Sequence, residues 1–191
     1  MTKVLLYIAL LVGLLLFPAL GLVDFQARVN ACERRDFLAN IRALAEQGNA
    51  LAQNSLGGKY ATGQGVSQDY QEAVMWYRRA AEQGLAVAQF NLGNRYAKGQ
   101  GVSQDYQEAA KWYRLAAEQG EASAQSTLGM MYGTGKGVPQ DYLLAHMWVN
   151  MAAAQGNEAG SKGVKILEEL MTPQQLAEAQ RLAREWKAKG K

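Results

Sequence analysis

Residues 85–120 read LAVAQFNLGNRYAKGQGVSQDYQEAAKWYRLAAEQG, and the 36 residues on either side are variants of the same text. Trp112 has counterparts at Trp76 and Trp148, Tyr96 at Tyr60 and Tyr132, and Gly93 at Gly57 and Gly129. Asp105 repeats as Asp69 and Asp141, and Gly120 as Gly84 and Gly156. A fixed period of this length marks a repeat architecture, in which each unit buries its apolar side against its neighbours. The units run 49–84, 85–120 and 121–156.

Within the first unit, Ala52, Leu56 and Tyr60 lie four apart and share one helical face. They predict a helix A over about residues 50–61. Gly63 and Gly65 stop it, because glycine takes the left-handed conformation that closes a helix and reverses the chain. Asp69 followed by Glu72 reads as a capping box that opens helix B. The pair recurs as Asp105 and Glu108 and fails at Asp141, where Leu144 stands in the third place. Helix B runs to about Gln83. Gly57, Ala73, Ala80 and Ala81 lack bulk and let helices approach closely, with Tyr60 and Trp76 filling the remaining space. The three tryptophans share the helix-B arc with the alanines and are expected in the core.

Comparison of the three units separates a constant face of helix A from a variable one. Ala52, Gln53, Leu56, Gly57 and Tyr60 do not change and fall within an arc of about 140°. Flanking segments extend the array. Residues 30–48 form a half repeat, with Asn30 and Glu33 as its cap and Phe37, Ile41, Leu44 and Ala45 as its apolar face. Residues 157–191 are a degenerate repeat and a capping helix. Thr172-Pro173-Gln174-Gln175 is its start signal, and Leu176, Ala179, Leu182, Ala183 and Trp186 are its stripe.

The chain has 191 residues, 49% of them hydrophobic, enough for one domain with a real core. A formal net charge of +3 predicts no strong attraction to nucleic acid. Cys32 is the only cysteine, so neither an intrachain disulfide nor a cysteine-based zinc cluster can form. After Lys3, the stretch from Val4 to Val23 carries no charge. Residues 1–23 therefore read as a signal peptide, with Ala19-Leu20-Gly21 as cleavage site, or as a single N-terminal anchor. In either case Lys3 directs the remainder outward. Val29-Asn30-Ala31-Cys32 faintly suggests a lipoprotein site, but Asp24 and Arg28 separate it from the apolar run.

The motif Leu92-Gly93, Tyr96, Gly99-Gln100-Gly101-Val102, Asp105-Tyr106, Ala109, Trp112-Tyr113 and Ala116-Ala117-Glu118-Gln119-Gly120 resembles the Sel1-like repeats, relatives of the tetratricopeptide repeat. The resemblance covers about residues 36–156. It implies an all-α solenoid, a right-handed superhelix of antiparallel helix pairs, and a role as an adaptor or scaffold that binds other proteins. Members of that family are often found in bacterial envelopes and signalling assemblies. Some carry a cysteine pair in each repeat and were described as penicillin-binding or as weak β-lactamases. This chain lacks such pairs.

No catalytic residue, metal set or cofactor fingerprint emerges. His146 stands alone, at the position of Val74 and Ala110, and reads as a surface or packing residue. Asp69, Asp105 and Asp141 are spaced one per repeat and are explained as caps. Gly63-Gln64-Gly65-Val66 lacks the lysine of a phosphate loop. The variable face of helix A is the candidate site. Stacking is expected to bring Phe90, Asn91, Asn94 and Arg95 beside Met130 and Met131, an apolar patch rimmed by Asn and Arg that suits a protein partner. The sequence thus predicts a non-catalytic interaction scaffold, exported to the periplasm or exterior. It takes a protein or peptide on its concave face, without nucleic acid or cofactor, and meets a membrane only through residues 1–23. A weak peptidoglycan- or β-lactam-acting enzyme and a structural subunit of an envelope assembly are the alternatives.

Overall fold

The computed structural model describes residues 37–189, so the readings made of residues 1–23, Asn30, Cys32 and Glu33 lie outside it. The described residues form nine helices and no strand. After α1 (37–46) come three pairs: α2 (Ala50–Thr62) with α3 (Tyr70–Glu82), α4 (Ala86–Lys98) with α5 (Tyr106–Glu118), and α6 (Ala122–Thr134) with α7 (Tyr142–Ala153). Then follow α8 (Glu158–Leu170) and α9 (Pro173–Lys189). Each helix packs on the next in chain order from α2 to α8, which is an α-solenoid.

Local chemistry explains the boundaries. Gly63, Gly99 and Gly135 close the A helices at φ 73°, 65° and 72°. The Asp69 carboxylate accepts from the N–H groups of Gln71 and Glu72 at 2.8 and 3.1 Å, and Asp105 and Asp141 do the same one and two periods on. The expected capping box is only half made. The Asp69 N–H donates to the Tyr60 carbonyl at 2.9 Å, and Asp105 and Asp141 donate to Tyr96 and Tyr132 at 3.0 and 2.9 Å. Since helix A's own last turn takes this N–H, Glu72 and Glu108 have nothing to satisfy there. That is why Leu144 is tolerated in the third repeat. Among the described residues only α9 has a reciprocal box: Thr172 N–H donates to Gln175 Oε1 at 2.9 Å, and Gln175 N–H to Thr172 Oγ1 at 3.3 Å.

Packing between repeats rests on two periodic ties. The buried Gln53, Gln89 and Gln125 donate to the carbonyls of Ala45, Ala81 and Ala117, near the end of the preceding B helix, at 3.0, 3.2 and 3.0 Å. Their own carbonyls accept from Gln83, Gln119 and Gln155 at 2.7, 2.8 and 2.8 Å. One glutamine thus joins three successive helices. A register slip would leave its buried polar atoms unpaired, at a cost of about 1–3 kcal/mol each. On the outside, Arg42, Arg78 and Arg114 donate to the hydroxyls of Tyr60, Tyr96 and Tyr132 at 2.7, 2.6 and 2.5 Å.

The tryptophans divide. Trp76 and Trp148 are buried, but Trp112 is only half buried, a correction to the uniform core role expected of them. Tyr113, the next residue, is the sealed one at 2% exposure. Its ring lies under Gly93, where an added Cβ would come within 2.8 Å of it. At the C-terminal end, α9 does not pair with α8 as a fourth B helix would. It packs back on α7, with Ala179 and Ala183 buried and Trp186 edge-on to Trp148 at 5.1 Å between centroids.

His146 is the packing residue among the two readings. It is buried, and neither ring nitrogen has a hydrogen-bond partner. Burial pushes its pKa below the ordinary 6.5, and the smaller pull of Glu168 opposes this. The folded state therefore binds fewer protons than the unfolded chain below about pH 6.5. Stability is then full above that pH and falls as pH drops through it. Denaturation midpoints measured from pH 8 to pH 5 should decline, and His146→Val should flatten that part of the profile. Because this is the chain's single histidine, an unchanged profile in the variant would contradict the assignment.

Candidate partner-binding face

The A helices α2, α4, α6 and α8 present one side away from the B helices. The structure does not unite the six expected residues on it. Phe90 is half buried, its ring tilted against Tyr113 at 5.7 Å. Asn91 donates to Asn54 Oδ1 at 3.0 Å, which ties α2 to α4. Asn94 accepts from the Tyr113 hydroxyl at 2.8 Å. Arg95 donates to Gln100 at 2.7 Å and lies 5.5 Å from the Tyr70 ring. Met131 is 7% exposed and belongs to the core rather than to a free face. Met130 alone is well exposed, at 48%. It lines a second locus beside α8, which none of the other five lines.

That second locus is an apolar groove of about 410 Å³ between α6 and α8, floored by α7. Met130, Val149, Ile166 and Leu170 are among the residues that line it. Ile166 and Leu170 are 58% and 59% exposed. Small residues create the space. Gly129 and Gly163 each sit against Val149, where an added Cβ would come within 2.6 and 2.9 Å of its Cγ1. Ile166 stands one period after Met130, and Leu170 one period after Thr134. The signal was in the sequence, but the decayed pattern after Gly156 hid it.

The residue following each tryptophan sets the character of the face. Tyr77 and Tyr113 pass under Gly57 and Gly93, whereas the third repeat has Val149. Burial pushes the Tyr113 phenol up to about 12 and raises Tyr77, while nearby Arg95 pulls both down by less. Both hydroxyls thus stay protonated donors beside a guanidinium. The first two repeats are polar and cationic on this side, and the last is apolar. Sequence reading missed this because the tryptophans drew attention from their neighbours.

The Sel1 repeat model matches residues 50–85, 86–121 and 122–157, more than half of the chain. The chain belongs to the Sel1 repeat family. Sel1 repeat proteins generally mediate protein–protein interaction and are typically non-enzymatic. This Sel1 chain is similar to a Sel1 repeat protein from Oxalobacter formigenes, with 42% identity and a TM-score of 0.62, covering 67% of this chain and 96% of that one. It is similar to c5321, a protective antigen present in uropathogenic Escherichia coli strains, with 33% identity and a TM-score of 0.60, covering 78% of this chain and 40% of that one. Cysteine-rich protein B of Helicobacter pylori shares the fold at 21% identity and a TM-score of 0.52, covering 70% and 93%. Comparison with curated proteins returned no match.

Proposed function

We propose that this Sel1 repeat protein is a non-catalytic scaffold of the cell envelope or exterior that docks a protein segment along the inner, helix-A side of its solenoid. The observation that carries the reading is the open apolar groove that gathers three exposed large side chains, Met130, Ile166 and Leu170, in one place. The single histidine is buried with both nitrogens unpaired, so it offers no general base, and this favours binding over catalysis. The uncharged stretch after Lys3 supports export.

The test is co-purification from an envelope extract with the Met130→Ser/Ile166→Ser double variant. Both residues are exposed, so helicity and melting temperature should hold while partner capture drops. Capture equal to wild type, with the fold intact, overturns the groove as the docking site. A C-terminal periplasmic reporter that stays inactive would overturn the export half.

A further inference from the structure

The helix-A side of the array has a chemical direction, and it says what kind of segment would fit. Helices α2, α4 and α6 contain no aspartate or glutamate at all. They carry Lys59, Arg95 and Lys98 instead. None of these three is in an ion pair among the described residues. Lys59 rests 5.3 Å from the Phe37 ring, and Arg95 has one hydrogen-bonded Nη and a buried Nε without a partner. The Tyr113 hydroxyl, near enough to Arg95 to feel its charge, donates to Asn94. The charged side chains of these three helices are therefore all cations. The acidic side chains nearest to them in sequence, Asp69 and Asp105, are occupied as the caps of α3 and α5, each accepting from two backbone N–H groups.

The other half lacks such groups. Met130, Val149, Ile166 and Leu170 form it, and the one cation at its edge, Lys162, is paired with Glu158 at 2.6 Å. The A-helix position of Lys98 becomes Thr134 and then Leu170 in successive repeats, and that of Asn94 becomes Met130 and then Ile166. The change from polar to apolar thus runs along the solenoid rather than across it.

We propose that the partner is a segment with acidic residues at one end and apolar ones at the other, its carboxylates against Lys59 and Lys98 and its apolar side chains in the Met130–Ile166–Leu170 groove. The proposal rests on the docking reading above and adds the partner's chemistry to it. Cations without counter-charges favour carboxylates over neutral or basic groups. The apolar groove supplies affinity that screened surface charges alone do not.

The test is selection of a randomised peptide library displayed on phage against the purified chain, followed by anisotropy titration of the recovered peptides. Expected are sequences rich in Asp or Glu towards one end and in Leu, Ile, Met or Phe towards the other. Their affinity should fall roughly tenfold in Lys59→Gln/Lys98→Gln, two exposed or half-exposed positions, and weaken with added salt. It should also fall in Met130→Ser/Ile166→Ser. Neutral or basic peptides that lose affinity only in the serine variant overturn the charge assignment and leave the groove reading standing. Peptides insensitive to both variants, or none recovered, overturn both readings. Tighter binding of a single-stranded oligonucleotide than of any acidic peptide overturns the proposal in favour of a nucleic acid.

Discussion

Gly101→Ala is expected to break the array between its first two repeats, while Gly120→Ala in the same repeat costs only about 1–2 kcal/mol. Both glycines hold positive φ, 77° and 93°, so both substitutions carry the strain of an L residue in that region. Their surroundings differ. A Cβ on Gly120 meets nothing within 4 Å. A Cβ on Gly101 would sit 2.1 Å from the Tyr70 carbonyl oxygen and 2.4 Å from its carbon. That neighbour is backbone at the first turn of α3 and cannot rotate away, so the loop and the preceding repeat must separate. A loss above about 4 kcal/mol follows, a large part of the total stability of a domain this size. Gly137→Ala should behave alike, because its Cβ would meet the Tyr106 oxygen at 2.3 Å. Chemical denaturation followed by circular dichroism separates the cases. Equal, small shifts for Gly101→Ala and Gly120→Ala would show that the repeats do not touch there.

The second large effect concerns the aromatic pair of the middle repeat. Tyr113→Ala should cost about 3–5 kcal/mol, the usual range for truncating a sealed aromatic. Trp112→Ala should cost roughly half of that, because the indole is only partly covered. This reverses the order suggested by the 36-residue tryptophan period. Tyr113→Phe isolates the hydroxyl: losing its bond to Asn94 should cost about 1 kcal/mol while the ring stays in place. Thermal or urea melts of the three variants decide the order. A Trp112→Ala variant less stable than Tyr113→Ala would return the tryptophan to the centre of the core.

The two experiments probe one feature from both sides. Gly93 and Gly101 are spaces that a neighbour occupies, the Tyr113 ring in one case and the start of α3 in the other. Within a repeat the aromatic ring fills the gap left by the helix-A glycine. Between repeats the loop glycine lets two backbones meet. Where the ring is replaced by Val149, the third repeat keeps its contact with Gly129, and Gly163 of α8 adds a second small surface against the same valine. The floor of the apolar groove is made from this change.

The candidate site was only partly legible. Variation between copies pointed to the helix-A side, and Met130 lies there in the open. Met131, one residue on, is rotated about 100° around the helix and enters the core. Asn91, Asn94 and Arg95 vary because they make different ties in different repeats, so variability alone did not distinguish a free side chain from an engaged one. Ile166 and Leu170 escaped notice because helix α8 has lost the glycine, tyrosine and alanine that mark its predecessors.

Period and residue type by themselves determined the repeat length, the helix starts at Asp69, Asp105 and Asp141, and the stops at Gly63, Gly99 and Gly135. These features depend on a few adjacent residues and on backbone conformation, which sequence encodes locally. Tertiary structure alone decided which aromatic is sealed, how one buried glutamine joins three helices, and why α9 folds back on α7 and leaves the α6–α8 groove open. Such outcomes depend on the angle and distance at which whole helices meet. No single repeat carries that information, because its burial is completed only by its neighbours.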